Sequence, residues 1–281
     1  MAKTKISVVQ YLNSVPLAWG ITEGTLRDSF DLILSTPAEC ADQLAGRSVD
    51  VGLIPSIEYQ RIKGTRIVPG AAVASRHRVK SVLLVSEMPL WRVRTVAHDK
   101  GSRTSVALAQ ILFREFYRTK PGFRPAEADL ANMLSTSDAA LIIGDTALKF
   151  MEVNQNPDIA DQKNLVRHGA EPLQVFDLME RWQFLTGLPF VFAFWAVREG
   201  FKDGSAVETL NASRDFGVAN IPAISERYSQ QLGMNKDFLK HYLERNVYYY
   251  LDSKCIEGLQ LFYEKAAEAG AIKTNRKIGF I

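Results

Sequence analysis

Thr36-Pro37-Ala38-Glu39-Cys40-Ala41-Asp42-Gln43-Leu44-Ala45-Gly46, followed by Val49-Asp50-Val51-Gly52-Leu53-Ile54-Pro55-Ser56, decides the fold class. Thr36 is a helix cap, Pro37 fits the first helical turn and Glu39 completes a capping box. Gly46 marks the other end of that helix. Val49–Ile54 reads as a short buried strand that runs into Pro55-Ser56, where a second helix begins. Lys5–Val9 and Asp31–Leu34 read as strands ahead of this unit, and Ser81–Val85 as one behind it. Strands alternating with helices define an α/β fold, and the spacing predicts a mainly parallel sheet.

The middle of the chain repeats the scheme. Arg94–Ala97 is a strand, and a helix is predicted from Thr104 to about Arg118. Val106, Ala109, Leu112, Phe113 and Phe116 recur along it at three or four residues, so one face is buried. Pro121, Gly122 and Pro125 read as a loop. Ala139–Ile143 is a buried strand leading into Gly144-Asp145 and a further helix. A polar stretch runs from Asn154 to Gly169, and Leu188–Val197 is a long hydrophobic strand. Beyond it, helices are predicted over Pro222–Leu232, Lys236–Leu251 and Lys254–Ala269, with Gly233 and Gly270 ending the first and last. Tyr248-Tyr249-Tyr250, Trp182 and Phe190–Trp195 read as packed core.

With 281 residues, 47% hydrophobic and 23% charged, the chain can hold one large α/β unit or two lobes. No apolar run approaches the ~18 residues that span a bilayer. The first residues lead into a strand without a signal-peptide core, so a cytoplasmic location is expected. A net charge of +3, from 34 basic and 31 acidic residues, excludes a strongly basic nucleic-acid binder and suits a small anionic ligand. Cys40 and Cys255 lie far apart, and His77, His98, His168 and His241 show no metal-ligand spacing. No metal is expected.

Six segments carry a resemblance. They are Tyr11-Leu12-Asn13-Ser14-Val15-Pro16-Leu17, Val49 through Tyr59, Ser81-Val82-Leu83-Leu84-Val85-Ser86, Ser102-Arg103-Thr104-Ser105-Val106, Leu141-Ile142-Ile143-Gly144-Asp145 and Thr186 through Ala193. Taken in this order, the sequence resembles the menaquinone-biosynthesis family that includes chorismate dehydratase. That resemblance implies a two-lobed, periplasmic-binding-protein-like (type II) fold with the ligand cleft between the lobes. It also implies a cofactor-free hydro-lyase of the futalosine route, taking chorismate to 3-[(1-carboxyvinyl)oxy]benzoate. Ser81–Val85 and Phe190–Val197 are then placed as crossovers. The expected first lobe comprises residues 1–86 and 190–281, and the second 87–189.

Ser102, Arg103, Thr104 and Ser105 lie where a strand meets a helix, so hydroxyls, a guanidinium and free N–H groups converge on a carboxylate site. The alternative is that Ser102 caps the helix and Arg103 is solvated. Ser56 is expected to serve the second carboxylate. Asn13 follows the first strand and faces the cleft, where an Asx turn is the competing reading. Ser81 opens a crossover strand, with an ordinary edge hydroxyl as its alternative. Gly144 and Asp145 complete the set, Asp145 either binding the ring or capping its own helix. With Asn13 and Ser81 as the expected catalytic residues and no histidine in a motif, the substrate's enolpyruvyl carboxylate is the expected base. Two rivals share this architecture, a non-catalytic solute-binding protein and a sister enzyme that forms a dihydroxynaphthoate with a histidine base.

Overall fold

The computed structural model describes residues 3–155, 173–202 and 204–281. The polar stretch predicted from Asn154 to Gly169, with His168, falls largely outside them. β1 (Thr4–Val9) leads through a tight turn (Leu12–Ser14) into a helix (Val15–Thr22) and β2 (Phe30–Ser35). The capped helix (Pro37–Ala45) and β3 (Val51–Pro55) follow. The capping box forms as its residues require: Thr36 accepts from the Glu39 N–H, and Glu39 accepts from the Thr36 N–H at 2.7 Å. Gly46 keeps a right-handed backbone, and the left-handed position falls one residue later, on Arg47 (φ 59°).

Six strands form the first sheet. With β4 (Arg66–Ser75), β10 (Phe190–Val197) and β11 (Tyr248–Leu251), its order is β11-β4-β10-β3-β1-β2. The second contains β5 (Val82–Ser86), β6 (Thr95–Asp99), β7 (Gly122–Ala126), β8 (Ala139–Ile143) and β9 (Gln174–Asp177), in the order β7-β6-β8-β5-β9. Both sheets are mixed, which corrects the mainly parallel expectation. Strands β2-β1-β3 and β7-β6-β8 are parallel trios. The strand beside each trio, β10 or β5, enters from the other sheet and runs antiparallel. Because β5 pairs only with β8 and β9, the first crossing lies between Ser75 and Val82, ahead of the boundary expected at residue 86.

Three elements differ from the sequence reading for identifiable reasons. Arg66–Ser75 is not among the strands read from the sequence, and Pro69-Gly70 interrupts its alanine-rich run. It is nevertheless a central strand, its pairing with β10 broken by a bulge and Gly70 at φ +94°. Gly122–Ala126 is a strand despite Pro125, which an edge position tolerates. The predicted helix Lys236–Leu251 divides into a helix (Lys236–His241), a π-helical turn (Tyr242–Asn246) and β11. Among the described residues, no helix is long and apolar enough to cross a membrane. Cys40 and Cys255 are both buried free thiols.

All eight residues of β10 are buried, since helices cover both its faces. In the second sheet the two-residue period sorts the core. Leu83, Val85, Ala140 and Ile142 face Met133 and Met151, whereas Leu84 and Leu141 face the larger core. The helix Val15–Thr22, which carries the turn holding Asn13, is crossed closely by another (Ser205–Ala219). A Cβ on Gly217 would lie 1.9 Å from the Pro16 carbonyl oxygen. Ser213 Oγ donates to Leu17 O at 2.9 Å and accepts from the Ile21 N–H.

Gly217→Ala therefore sets two terms against each other. Helix propensity favours alanine by about 0.5–1 kcal/mol, while forcing a methyl against backbone costs about 1–3 kcal/mol. The clash is severe enough for the second term to win. Urea denaturation is expected to show a net loss of about 2 kcal/mol, and an unchanged midpoint would contradict this packing.

Candidate active site

Between the two sheets lies a cavity of about 60 Å³, and the strand ends supply its walls. From the first sheet come Val9, Tyr11 and Asn13 after β1, Pro55 at the end of β3, and Phe192 and Ala193 of β10. The second sheet gives Ser81 and Val82 at the start of β5, Gly101 to Ser105 after β6, and Ile143 and Gly144 after β8. The C-terminal ends of the parallel trios thus meet at one place, as in other α/β sheets that bind ligands. A larger surface groove, about 1040 Å³ beside Arg66 and Arg276, contains none of the expected site residues.

The loop after β6 forms one side. Ser102 is buried, and its hydroxyl has no hydrogen-bond partner among the described residues. It does not cap the helix Thr104–Leu112, whose N-terminal position is Arg103 without a side-chain cap. An unpaired buried hydroxyl is costly in a finished core but appropriate in a site that takes an oxyanion. Thr104 and Ser105 stand beside it, also buried, in the first turn, where the N–H groups have no intrahelical partner.

Asn13 and Ser81 form the other side, and behind Ser81 stands Tyr242, a residue the sequence reading missed. Tyr242 is fully buried and donates to Ser81 Oγ at 2.8 Å. Burial raises its phenol well above the ordinary tyrosine range. Asn13 Oδ1 accepts from Ser14 Oγ at 3.1 Å. The Ser81 carbonyl accepts from the Gly144 N–H at 2.9 Å. Just before Ser81, the Lys80 N–H donates to Asp177 at 2.7 Å.

Three expected site residues span the interface in ways the sequence did not reveal. Arg103 was expected to meet a substrate carboxylate, but its guanidinium is already engaged. Nη2 stands 2.8 Å from both oxygens of Asp42, and Nη1 stands 3.1 Å from Glu58 Oε2. Ser56 lies behind the cavity wall rather than in it, donating to Val191 O at 2.7 Å with Thr104 Oγ1 at 3.4 Å. Asp145 neither caps its helix nor lines the cavity, and accepts instead from the Leu12 N–H at 3.1 Å. The contacts of Arg103 with Asp42 and Glu58, of Ser56 with Thr104 and of Asp145 with Leu12 cross the cleft, whereas Val191 lies in the first sheet beside Ser56.

Tyr11 belongs to the quoted motif, yet its placement could not be read. Its ring fits between two glycines of the second sheet. A Cβ on Gly144 would lie 3.0 Å from the ring, and one on Gly101 would lie 3.2 Å from the hydroxyl. The signal for Tyr242 was a tyrosine on an otherwise apolar helix face with Leu239 and Leu243, where phenylalanine would pack equally well. Phe192 lines the cavity as well as the core. His77 bonds Gln183, His98 bonds the Asp99 carbonyl and His241 is exposed, so none of these faces the cavity. No cluster of potential metal ligands occurs among the described residues.

A family described as menaquinone biosynthesis matches residues 4–268. A chorismate dehydratase of Thermus thermophilus is 31% identical, over 84% of this chain and 87% of that protein. One of Campylobacter jejuni is 24% identical, over 93% of this chain and 96% of that protein. The periplasmic aliphatic sulphonate binding protein of Escherichia coli has the same fold, with a TM-score of 0.62 at 13% identity, covering 99% of this chain and 93% of that one. The fold is therefore two-lobed and periplasmic-binding-protein-like, with the cavity in the cleft.

Asp145, bonded across the cleft to Leu12, makes stability sensitive to pH. Burial raises its carboxyl to about 6, against the pull of the Leu12 N–H, whereas an unfolded aspartate titrates near ~3.9. The native state binds the extra proton between these values. The stability this group contributes is therefore complete below about pH 4 and lost as pH rises through about 6. Asp145→Asn keeps an oxygen for Leu12 and cannot ionise. Thermal unfolding is expected to show this variant more stable than the parent at neutral pH, with the gap closing towards pH 4. A gap independent of pH would refute the assignment.

Proposed function

The chain belongs to the menaquinone-biosynthesis family that includes the chorismate dehydratases, and on that footing we propose that it is itself a chorismate dehydratase. It acts as a hydro-lyase, converting chorismate to 3-[(1-carboxyvinyl)oxy]benzoate and water on the futalosine route to menaquinone. The observation that carries this reading is the Ser102 hydroxyl, buried without a partner beside the first turn of a helix in the cleft. One substrate carboxylate binds there through Ser102, Thr104, Ser105 and the free N–H groups. Tyr11 and Phe192 border the ring, and Asn13 and Ser81 hold its reacting edge.

The reaction removes a proton from C3 and hydroxide from C4. Its product ring is aromatic, so the elimination is strongly downhill, and the protein's task is orientation. The two departing groups lie on one ring face, which favours a local base. Among the described residues no histidine lines the cavity, and the Asp145 carboxylate is turned to Leu12. The substrate's enolpyruvyl carboxylate takes the C3 proton, while Asn13 and Ser81 assist loss of hydroxide by hydrogen bonding. A histidine-based sister reaction finds no imidazole lining this cavity among the described residues.

At about 60 Å³ the cavity is smaller than the roughly 300–1,000 Å³ of ordinary ligand pockets. The lobes must part to admit a substrate and close over it, which excludes water from the eliminating edge.

Incubation with chorismate is expected to generate a benzoate absorbance spectrum. Binding without turnover would identify a solute-binding protein instead. Asn13→Ala is expected to lower kcat by roughly 10²–10³, the usual loss for one oriented donor, with an unchanged circular-dichroism spectrum. Near-normal activity would remove Asn13 from the chemistry. Chorismate whose enolpyruvyl carboxylate is masked as an amide is expected not to turn over, and normal turnover of it would exclude the substrate as base.

A further inference from the structure

Tyr242 does not line the cavity, yet its hydroxyl reaches a residue that does. It stands at the start of the π-helical turn Tyr242–Asn246, a local widening of the helix. The ring is fully buried in the first lobe, and the partner hydroxyl belongs to Ser81 at the mouth of β5. A hydroxyl at so buried a position costs free energy unless it is bonded, and phenylalanine would fill the space without that cost.

The direction of this bond matters more than its existence. A serine hydroxyl has one hydrogen and two acceptor lone pairs. Left alone with another hydroxyl, Ser81 could donate to it as readily as accept. Here the phenol donates to Ser81 Oγ at 2.8 Å. One Ser81 lone pair is then occupied and its own hydrogen is turned away from Tyr242. The Ser81 backbone cannot swing to compensate, because its carbonyl accepts from the Gly144 N–H and the preceding Lys80 N–H is held by Asp177. The remaining direction open to that hydrogen is the cavity that Ser81 lines.

We infer that Tyr242 is a positioning residue for the dehydration, using its bond to Ser81 Oγ to aim the serine hydrogen at the departing C4 hydroxyl. Tyr242 touches no substrate and gives up no proton. It fixes one rotamer and one polarity at Ser81. This inference rests on the dehydratase reading above.

The test compares steady-state turnover of chorismate by the parent, Tyr242→Phe, Ser81→Ala and the double variant. Tyr242→Phe is expected to lose about 10- to 100-fold in kcat while KM stays within about twofold, because an orientation used mainly in the transition state is removed. In the Ser81→Ala background the same substitution is expected to cost nothing further, since its only route of action is gone. Losses that multiply, or a KM that rises as kcat holds, would overturn the inference in favour of a structural role. So would a parent-like Tyr242→Phe. An inactive parent would instead sink the dehydratase reading itself, and this inference with it. Should Tyr242→Phe not fold, 3-fluorotyrosine at position 242 keeps the packing and makes a stronger donor. An altered kcat at constant KM is then expected, and an identical kcat would overturn the inference.

Discussion

Where the chain enters the second sheet, several backbone N–H groups converge on the buried carboxylate of Asp177. Lys80 donates at 2.7 Å and Met179 at 3.0 Å, and Val79 and Glu180 add their own N–H groups. Arg78 Nε stands 3.9 Å away. Burying a carboxylate costs several kcal/mol unless donors replace its water, and these do so from two separate segments. Even so, burial still raises this carboxyl above its ordinary range. The arrangement joins the start of β5 to the first turn of the helix Leu178–Thr186, through which the chain returns to the first sheet. It also holds Lys80 in the left-handed region at φ 63°, a conformation worth roughly 1–2 kcal/mol of strain in a residue with a side chain. Ser81 is the next residue. Its direction, and with it the far wall of the cleft, depends on that knot.

The same economy governs the faces that meet across the cleft. Arg103 lines the cavity, and its guanidinium is held by Asp42 and Glu58 from the other side. Its bond to Asp42, which is 64% exposed, is screened by water and worth about 1 kcal/mol or less. Its bond to Glu58, only 5% exposed, matters differently, because an unpaired charge at that depth would be strongly destabilising. What remains for an anionic ligand is a set of neutral donors and the N-terminal turn of one helix. Such a set, contributed by both sheets, is complete where the strand ends meet. Asp145 and Leu12 add a further bond between the two sides.

Different parts of this arrangement were legible to different degrees. The Thr36–Glu39 capping box acts within four residues, so its partners are visible in the sequence and form as read. The strand Arg66–Ser75 was hidden, because Pro69 and Gly70 oppose a strand locally while β10 and β11 on either side impose one. The predicted helix over Lys236–Leu251 failed for a related reason. Tyr248–Leu251 has β-forming residues with a free edge of β4 to join, and pairing there outweighs continued helix.

Sequence by itself determined the α/β class, the strand-to-helix junctions and the short polar segments that sit on them, because caps, glycines and apolar periods act over a few residues. It placed Asn13, Ser81, Ser102, Thr104, Ser105 and Gly144 at strand ends, and all six line the cavity. Tertiary structure alone decided what each polar group faces. Ser102 kept a free hydroxyl, Arg103 and Asp145 were turned to partners across the cleft, and Tyr242 was brought to Ser81 from 161 residues away. The physical reason is range. Local propensity fixes where a side chain begins, whereas its hydrogen-bond partner is set by which buried surfaces pack together, and that sum runs over the whole chain.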